Sequence, residues 1–185
     1  MNMTRLIIIT VPPKEIADRV QQLRTPICEK YQAPWALTYP PHITLRTGVI
    51  VPQDNMENYL SDFTNLIKDQ KPFRIRTDKI KSTIMRNGDD WKFFIYLPVI
   101  QDHALIHLNR HLLSYCRYRK SNQISFYPHM TLLWDSLTVK EQEEVKATMN
   151  RDRRFTECYE WMCDNVSLYI RKEDHWVPFH VFRIQ

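Results

Sequence analysis

The chain has 185 residues, 43% hydrophobic and 25% charged, which is enough apolar side chain for one compact domain spanning residues 1–185. Its 26 Lys and Arg against 21 Asp and Glu give a formal charge of +5, favouring anionic partners such as nucleotides or RNA without specifying any chemistry. Glycine occurs only at Gly48 and Gly88, so no glycine-rich phosphate loop can exist, and the apolar run Leu6 to Val11 is too short for a membrane span or a signal core.

That first run reads as a buried strand, Leu6 to Thr10. Pro13 then suits the first turn of a helix whose apolar residues Ile16, Val20, Leu23 and Ile27 recur at helical spacing, with Pro26 expected to kink or end it. A strand containing His42 follows. Next comes a helix from about Asp54, where Asp54 and Glu57 resemble a capping pair ahead of Leu60, Phe63, Leu66 and Ile67. Two β-rich runs, Phe73 to Met85 and Trp91 to Val99, flank Asn87-Gly88, a hairpin signal.

A third helix is expected from about Asp102 to Tyr118, with Leu105, Leu108, Leu112 and Tyr115 facing inward. After it comes the strand with His129. Thr138-Val139-Lys140-Glu141 forms a capping box for a fourth helix ending near Asn150, and strands near Asn165 to Arg171 and Trp176 to Ile184 close the chain. The two halves thus share an order of helix, strand, helix and paired strands. This implies an α+β fold of two pseudo-symmetric lobes intertwined in sequence, each an antiparallel sheet with helices on one outer face, the motif strands lining a central groove.

The repeat carries a phrase. Tyr39-Pro40-Pro41-His42-Ile43-Thr44-Leu45 is echoed by Tyr127-Pro128-His129-Met130-Thr131-Leu132, and of seven histidines only these two have Thr two places on. Alternation on a strand sends His42, Thr44 and Arg46 to one face, with Ile43 and Leu45 behind. In the second copy His129, Thr131 and Leu133 share a face, and Met130, Leu132 and Trp134 pack the other side. Two imidazoles across a groove can act as acid and base, and two threonine hydroxyls can hold non-bridging phosphate oxygens.

These two His-φ-Thr-φ motifs resemble the hallmark of the two-histidine (2H) phosphoesterase superfamily, which includes the 2'-5' RNA ligase and cyclic phosphodiesterase proteins. The resemblance covers essentially the whole chain in element order and motif separation. It implies metal-independent hydrolysis of 2',3'-cyclic phosphate or 2'-5' phosphodiester bonds in RNA or nucleotides, with reversible ligation in some members. His129 would activate the attacking water and His42 would protonate the departing ribose oxygen, with Thr44 and Thr131 binding phosphate. Degradation of a 2'-5'-linked or cyclic signalling nucleotide is the alternative reading, and a non-catalytic RNA-binding module is a third.

Tyr39, Tyr127 and Trp134, together with Trp176, offer aromatic faces on which a base can stack, and Arg46 is a further substrate-binding candidate. The basic residues Arg74, Arg76, Lys79 and Lys81, with Arg117, Arg119 and Lys120, suggest an RNA-tracking surface, although charge on an edge strand also guards against aggregation. His103, His107 and His111 recur every four residues, but no carboxylate or cysteine completes a ligand set, so no metal or other cofactor is expected. Cys28, Cys116, Cys158 and Cys163 contain no CxxC pair, as suits reduced thiols in a cytoplasm. The partners expected are RNA ends or small nucleotides, with no membrane, for a monomer.

Overall fold

A computed structural model describes residues 2–115, 126–173 and 175–185. The chain opens with strand β1 (Met3–Thr10), helix α1 (Lys14–Lys30), strand β2 (Ile43–Pro52), helix α2 (Met56–Ile67) and strands β3 (Phe73–Arg76) and β4 (Lys81–Asn87). The same order then returns as β5 (Asp90–Pro98), α3 (His103–Tyr115), β6 (His129–Asp135), α4 (Val139–Arg151), β7 (Glu160–Cys163) and β8 (Asn165–Lys172). Strand β9 (His175–Arg183) follows.

Pairing is antiparallel throughout and follows the repeat. One sheet runs β2-β1-β8-β9, another β4-β5-β6, and β3 pairs with its counterpart β7. Each half lends a strand to the other's sheet: β4 joins β5, and β8 joins β1. The lobes are therefore intertwined, and β2 and β6, the edge strands bearing the two motifs, come within 8 Å of each other at Cα.

Register separates the two faces of each sheet. In the first sheet Leu6, Ile8, Ile43 and Leu45 join Leu105, Leu108 and Leu112 of α3 in the main core, while Ile7, Ile9 and Tyr169 form a small second cluster with Trp176. Fully burying one such Leu or Ile contributes about 1.5–3 kcal/mol, so the helix-facing side is where stability is concentrated. The opposite side is left for the motif residues.

Both motif strands carry a β-bulge at the same place. Thr44 pairs with Ile9 and Arg46 with Ile8, leaving Leu45 unpaired, while Thr131 pairs with Tyr96 and Leu133 with Ile95, leaving Leu132 unpaired. A bulge removes its carbonyl from the ladder, and here a side chain from a helix of the opposite half supplies the missing donor. Asn109 Nδ2 of α3 donates to the Leu45 carbonyl at 2.7 Å, and the Cys28 thiol of α1 donates to the Leu132 carbonyl at 3.3 Å. A further shift beside Gly48, whose φ of +69° suits a residue without Cβ, continues the irregularity of β2.

Several sequence expectations are corrected in detail. Helix α1 runs through Pro26 to Lys30, because Leu23, Arg24, Ile27 and Cys28 are buried on either side and outweigh one lost hydrogen bond. Asp54 lies in a short 3-10 turn before α2, whose N-cap Asn55 makes no side-chain cap, so the Asp54 and Glu57 pairing is not used. The run Phe73 to Met85 divides between two sheets at a bend where Asp78 accepts from the Lys79 amide and pairs with Lys81 at 2.8 Å. The hairpin turn is Gly88-Asp89, one residue later than expected, with Gly88 at φ +64°.

The Thr138 and Glu141 capping box forms as the sequence indicates. The expected end of the third helix at Tyr118 and the basic residues Arg117, Arg119 and Lys120 lie outside the described residues.

Candidate active site

The first half-site begins before β2. A 3-10 turn, Pro34–Thr38, leads into extended Tyr39, and Pro40-Pro41 restrict the backbone up to His42. The His42 ring is half-buried and its Nδ1–H donates to the Pro40 carbonyl at 2.9 Å. A carbonyl can only accept, so neutral His42 carries its proton on Nδ1 and presents Nε2 as the base nitrogen. The Tyr39 ring lies 5.1 Å from the His42 ring and stacks with Trp176 at 6.4 Å.

The second half-site repeats this device. His129 Nδ1–H donates to the Tyr127 carbonyl at 2.8 Å, again two residues upstream, so Nε2 is again the base nitrogen. Its ring sits among aromatic rings, with Phe94 edge-on at 5.0 Å, Tyr96 at 5.9 Å and Tyr127 at 6.3 Å. Such edge contacts define the ring plane more sharply than aliphatic packing would.

Register places the threonines beside the histidines on the exposed side of each sheet. Thr44 pairs with Ile9 and so lies on the face of the smaller cluster, away from the helices. Thr131 pairs with Tyr96, the ring that touches His129. Both threonines are half-buried, as are both histidines.

The two histidines are electrostatically coupled. Burial pushes His42 down to about 4, against the pull of its bond to Pro40, and positive charge on Arg24 or His129 lowers it further. Burial also holds His129 below the usual imidazole range, opposed by its bond to Tyr127. In the free protein both rings are therefore neutral at pH 7. An anionic phosphate between them would raise both, returning proton-holding capacity when substrate is bound.

The bulges redistribute the remaining candidates. Arg46 pairs with Ile8, on the helix-facing side, and its guanidinium donates to the Asn109 carbonyl at 2.8 Å and to Asn109 Oδ1 at 2.9 Å. It does not share the face of His42 and Thr44, because the extra residue Leu45 shifts the alternation by one. The same shift turns Leu133 into the core and brings Trp134 to the His129 side, opposite Phe94 and 5.0 Å from it. Trp134 thus packs beside the site and not behind it.

Tyr39 is 7% exposed and Tyr127 is 52% exposed, so these two equivalent residues differ in what they can offer a ligand: Tyr127 is open and Tyr39 is buried. Lys81 pairs with Tyr96 and so borders the His129 face, whereas Arg74 is bound to Glu160 at 3.1 Å. His103 and His107 line a shallow cavity of about 440 Å³ with Gln70 and Arg110 on the outer side of α3, away from both motifs. Among the described residues no group of three or more potential metal ligands converges.

Sequence reading does not find Arg24, Asn109, Phe94 and Tyr96. Only the helical placement of Arg24 and Asn109 among apolar residues marks them, and that pattern alone does not distinguish a buried polar residue from a boundary one.

This fold and paired-motif geometry have known counterparts. A profile of the 2'-5' RNA ligase superfamily matches residues 12–175. Proteins named "Putative phosphoesterase" from Bacillus thuringiensis strain Al Hakam and Bacillus cereus strain Q1 are each 26% identical over 181 residues, covering 97% of this chain and 96% of theirs. Among solved structures, TT0787 of Thermus thermophilus aligns with a TM-score of 0.66 and 15% identity over 97% of each chain. Escherichia coli LigT complexed with 3'-AMP aligns with a TM-score of 0.62 and 19% identity over 100% of this chain and 99% of that one. Among the described residues no helix is long and apolar enough to cross a membrane. With a profile match over residues 12–175 and both His-x-Thr motifs on neighbouring edge strands of a LigT-like two-lobed α+β fold, the chain belongs to the 2'-5' RNA ligase superfamily, the two-histidine phosphoesterases.

Proposed function

We propose that the protein is a metal-independent phosphodiesterase acting on 2',3'-cyclic phosphate or 2'-5' phosphodiester bonds in RNA or nucleotides. The observation that carries this reading is the matched pair of half-sites. Each offers a free Nε2 on an imidazole oriented by a carbonyl two residues upstream, with a threonine on the same side of its strand.

In the scheme, Thr44 and Thr131 donate to the non-bridging oxygens. His129 Nε2 takes a proton from water as the water oxygen bonds to phosphorus. The bond from phosphorus to the ribose oxygen breaks, and protonated His42 gives its Nε2 proton to that oxygen. The acid role of His42 is carried over from the family resemblance; burial leaves its ring neutral in the free protein, so it takes up its proton only once the anionic substrate is bound beside it. The ligation direction uses the same groups with roles exchanged.

Nucleotide substrates fit the open Tyr127 ring and the basic Lys81 border, and LigT, one of the structural neighbours, has been crystallised with 3'-AMP, ATP and NADP+. The test is a panel of 2',3'-cyclic mononucleotides, cyclic-phosphate-ended RNA, 2'-5' and 3'-5' dinucleotides, 2'-5' oligoadenylate and cyclic dinucleotides, with the position of the product phosphate determined. Turnover of a cyclic phosphate or a 2'-5' bond should be insensitive to EDTA and fall ~10²–10⁴-fold in either His42→Ala or His129→Ala. Wild-type turnover in both variants would overturn the scheme. Oligoadenylate as the sole substrate would assign the protein to signalling-nucleotide degradation, and RNA binding without turnover to a binding module.

A further inference from the structure

We propose that Arg24 is a positioning residue for the His42 half-site: from the buried side of α1 its guanidinium clamps the Tyr39 carbonyl and sets a fixed positive charge behind the phosphate-holding pair. The geometry stands by itself, while the kinetic consequence rests on the phosphodiesterase reading.

Arg24 is 2% exposed, and the atoms it bonds are neutral. Its Nη2 donates to the Tyr39 carbonyl, and Nε and Nη2 both donate to Gln21 Oε1, while Gln21 Nε2 is held in turn by Thr25 Oγ1 at 2.9 Å. No ion pair among the described residues includes it. A buried cation matched only to neutral acceptors is electrostatically incomplete, because its lost hydration is not offset by a counter-charge. An anionic phosphate beside His42 would supply that charge.

The repeat shows that the fold itself does not demand a cation here. Cys28 of α1 and Asn109 of α3 perform matching tasks at the two bulges, and four residues before each stand Arg24 and Leu105, both buried. One half does with leucine what the other does with arginine. The arginine has an outlet the leucine lacks: Tyr39 O is clamped by Arg24, the next carbonyl, Pro40 O, holds His42 Nδ1, and the Tyr39 ring lies against the His42 ring.

The charged and titratable groups facing His42 are Arg24 from α1, His129 from β6 and Tyr39 from the preceding segment. Those facing Arg24 are the Cys28 thiol on its own helix and the Tyr39 segment. Arg24 stays cationic at pH 7 even though burial pushes it down to about 10.

The experiment compares wild type, Arg24→Gln and Arg24→Lys by histidine-ring NMR titration, by binding of inorganic phosphate, and by kcat and KM on the substrate found above. Arg24→Gln should raise the His42 midpoint, with a smaller change at His129, and weaken phosphate binding. Arg24→Lys keeps the charge but not the fork, so its His42 midpoint should stay near wild type while kcat falls about tenfold through lost positioning. If Arg24→Gln fails to fold, Arg24→Lys decides. An unchanged kcat, His42 titration and phosphate affinity in folded variants would overturn the proposal and leave Arg24 a packing residue. Absence of turnover in wild type would overturn the phosphodiesterase reading alone, because ring titration and phosphate binding need no catalysis.

Discussion

Neutral, half-buried His42 makes folding stability depend on pH in a window set by two numbers. Its ordinary value is 6.5, and in the folded protein burial brings it to about 4. A histidine with a depressed folded pKa costs no stability above pH 6.5, where both states are neutral. It destabilises progressively as pH falls towards 4, because the unfolded chain takes up the proton first. The full difference of 2.5 units corresponds to about 3 kcal/mol at 1.36 kcal/mol per unit. At pH 5 the unfolded ring is almost wholly protonated and the folded one hardly at all, so about 2 kcal/mol of stability should already be lost relative to pH 7. His42→Gln removes the titration while keeping a polar side chain. Urea unfolding of both proteins at pH 7 and pH 5, in phosphate-free buffer, should show the wild type losing about 2 kcal/mol more than the variant between the two pH values. This is equivalent to a melting-temperature difference of roughly 4–8 °C for a chain of this size. Parallel pH dependence in the two proteins would refute the reasoning, since it would mean that His42 titrates alike folded and unfolded.

Replacing either threonine by valine, which keeps the volume and removes the hydroxyl, should reduce kcat/KM on the order of 10²-fold with little change in melting temperature; steady-state kinetics and calorimetry read both. Arg46→Met should behave in the opposite way, losing about 1–3 kcal/mol in urea unfolding because Asn109 loses charged hydrogen-bond donors, while KM for a nucleotide stays within about twofold. Gly48→Ala forces a side chain into a left-handed conformation at φ +69° and should cost about 1–2 kcal/mol in the same unfolding assay.

Sequence periodicity is sufficient for the four helices, the motif strands and the two-lobed plan, because apolar spacing and the Thr138 capping box are local signals. The split of Phe73 to Met85 between two sheets is not legible, since strand partnership is decided by residues far along the chain. Short β7, Glu160–Cys163, escapes for the same reason: four residues carry too little alternation to stand out, and β3 defines it. His42, Thr44, His129 and Thr131 can be singled out because a duplicated phrase is visible without coordinates. Arg24 and Asn109 cannot, because a buried polar residue on a helix reveals its purpose only once its acceptor, a carbonyl in another element, is placed beside it.

Strict strand alternation fails at one definable point in each half, and the failure has a common cause. The residue after each Thr, Leu45 or Leu132, is a bulge, so each Thr, on the side of its sheet away from the helices, is followed by a phase change that turns the position after the bulge towards the core. In the second half that position is Leu133, which simply joins the core. In the first it is Arg46, which cannot be buried without acceptors and finds them in Asn109, the residue that also satisfies the bulge carbonyl of Leu45. The bulge thus explains both why Arg46 leaves the face that strict alternation predicts for it and why α3 carries a buried asparagine. It also separates two parts of one strand: the residues before the bulge are those proposed for the chemistry, and Arg46 or Leu133 after it turns to the helix-facing side of the sheet.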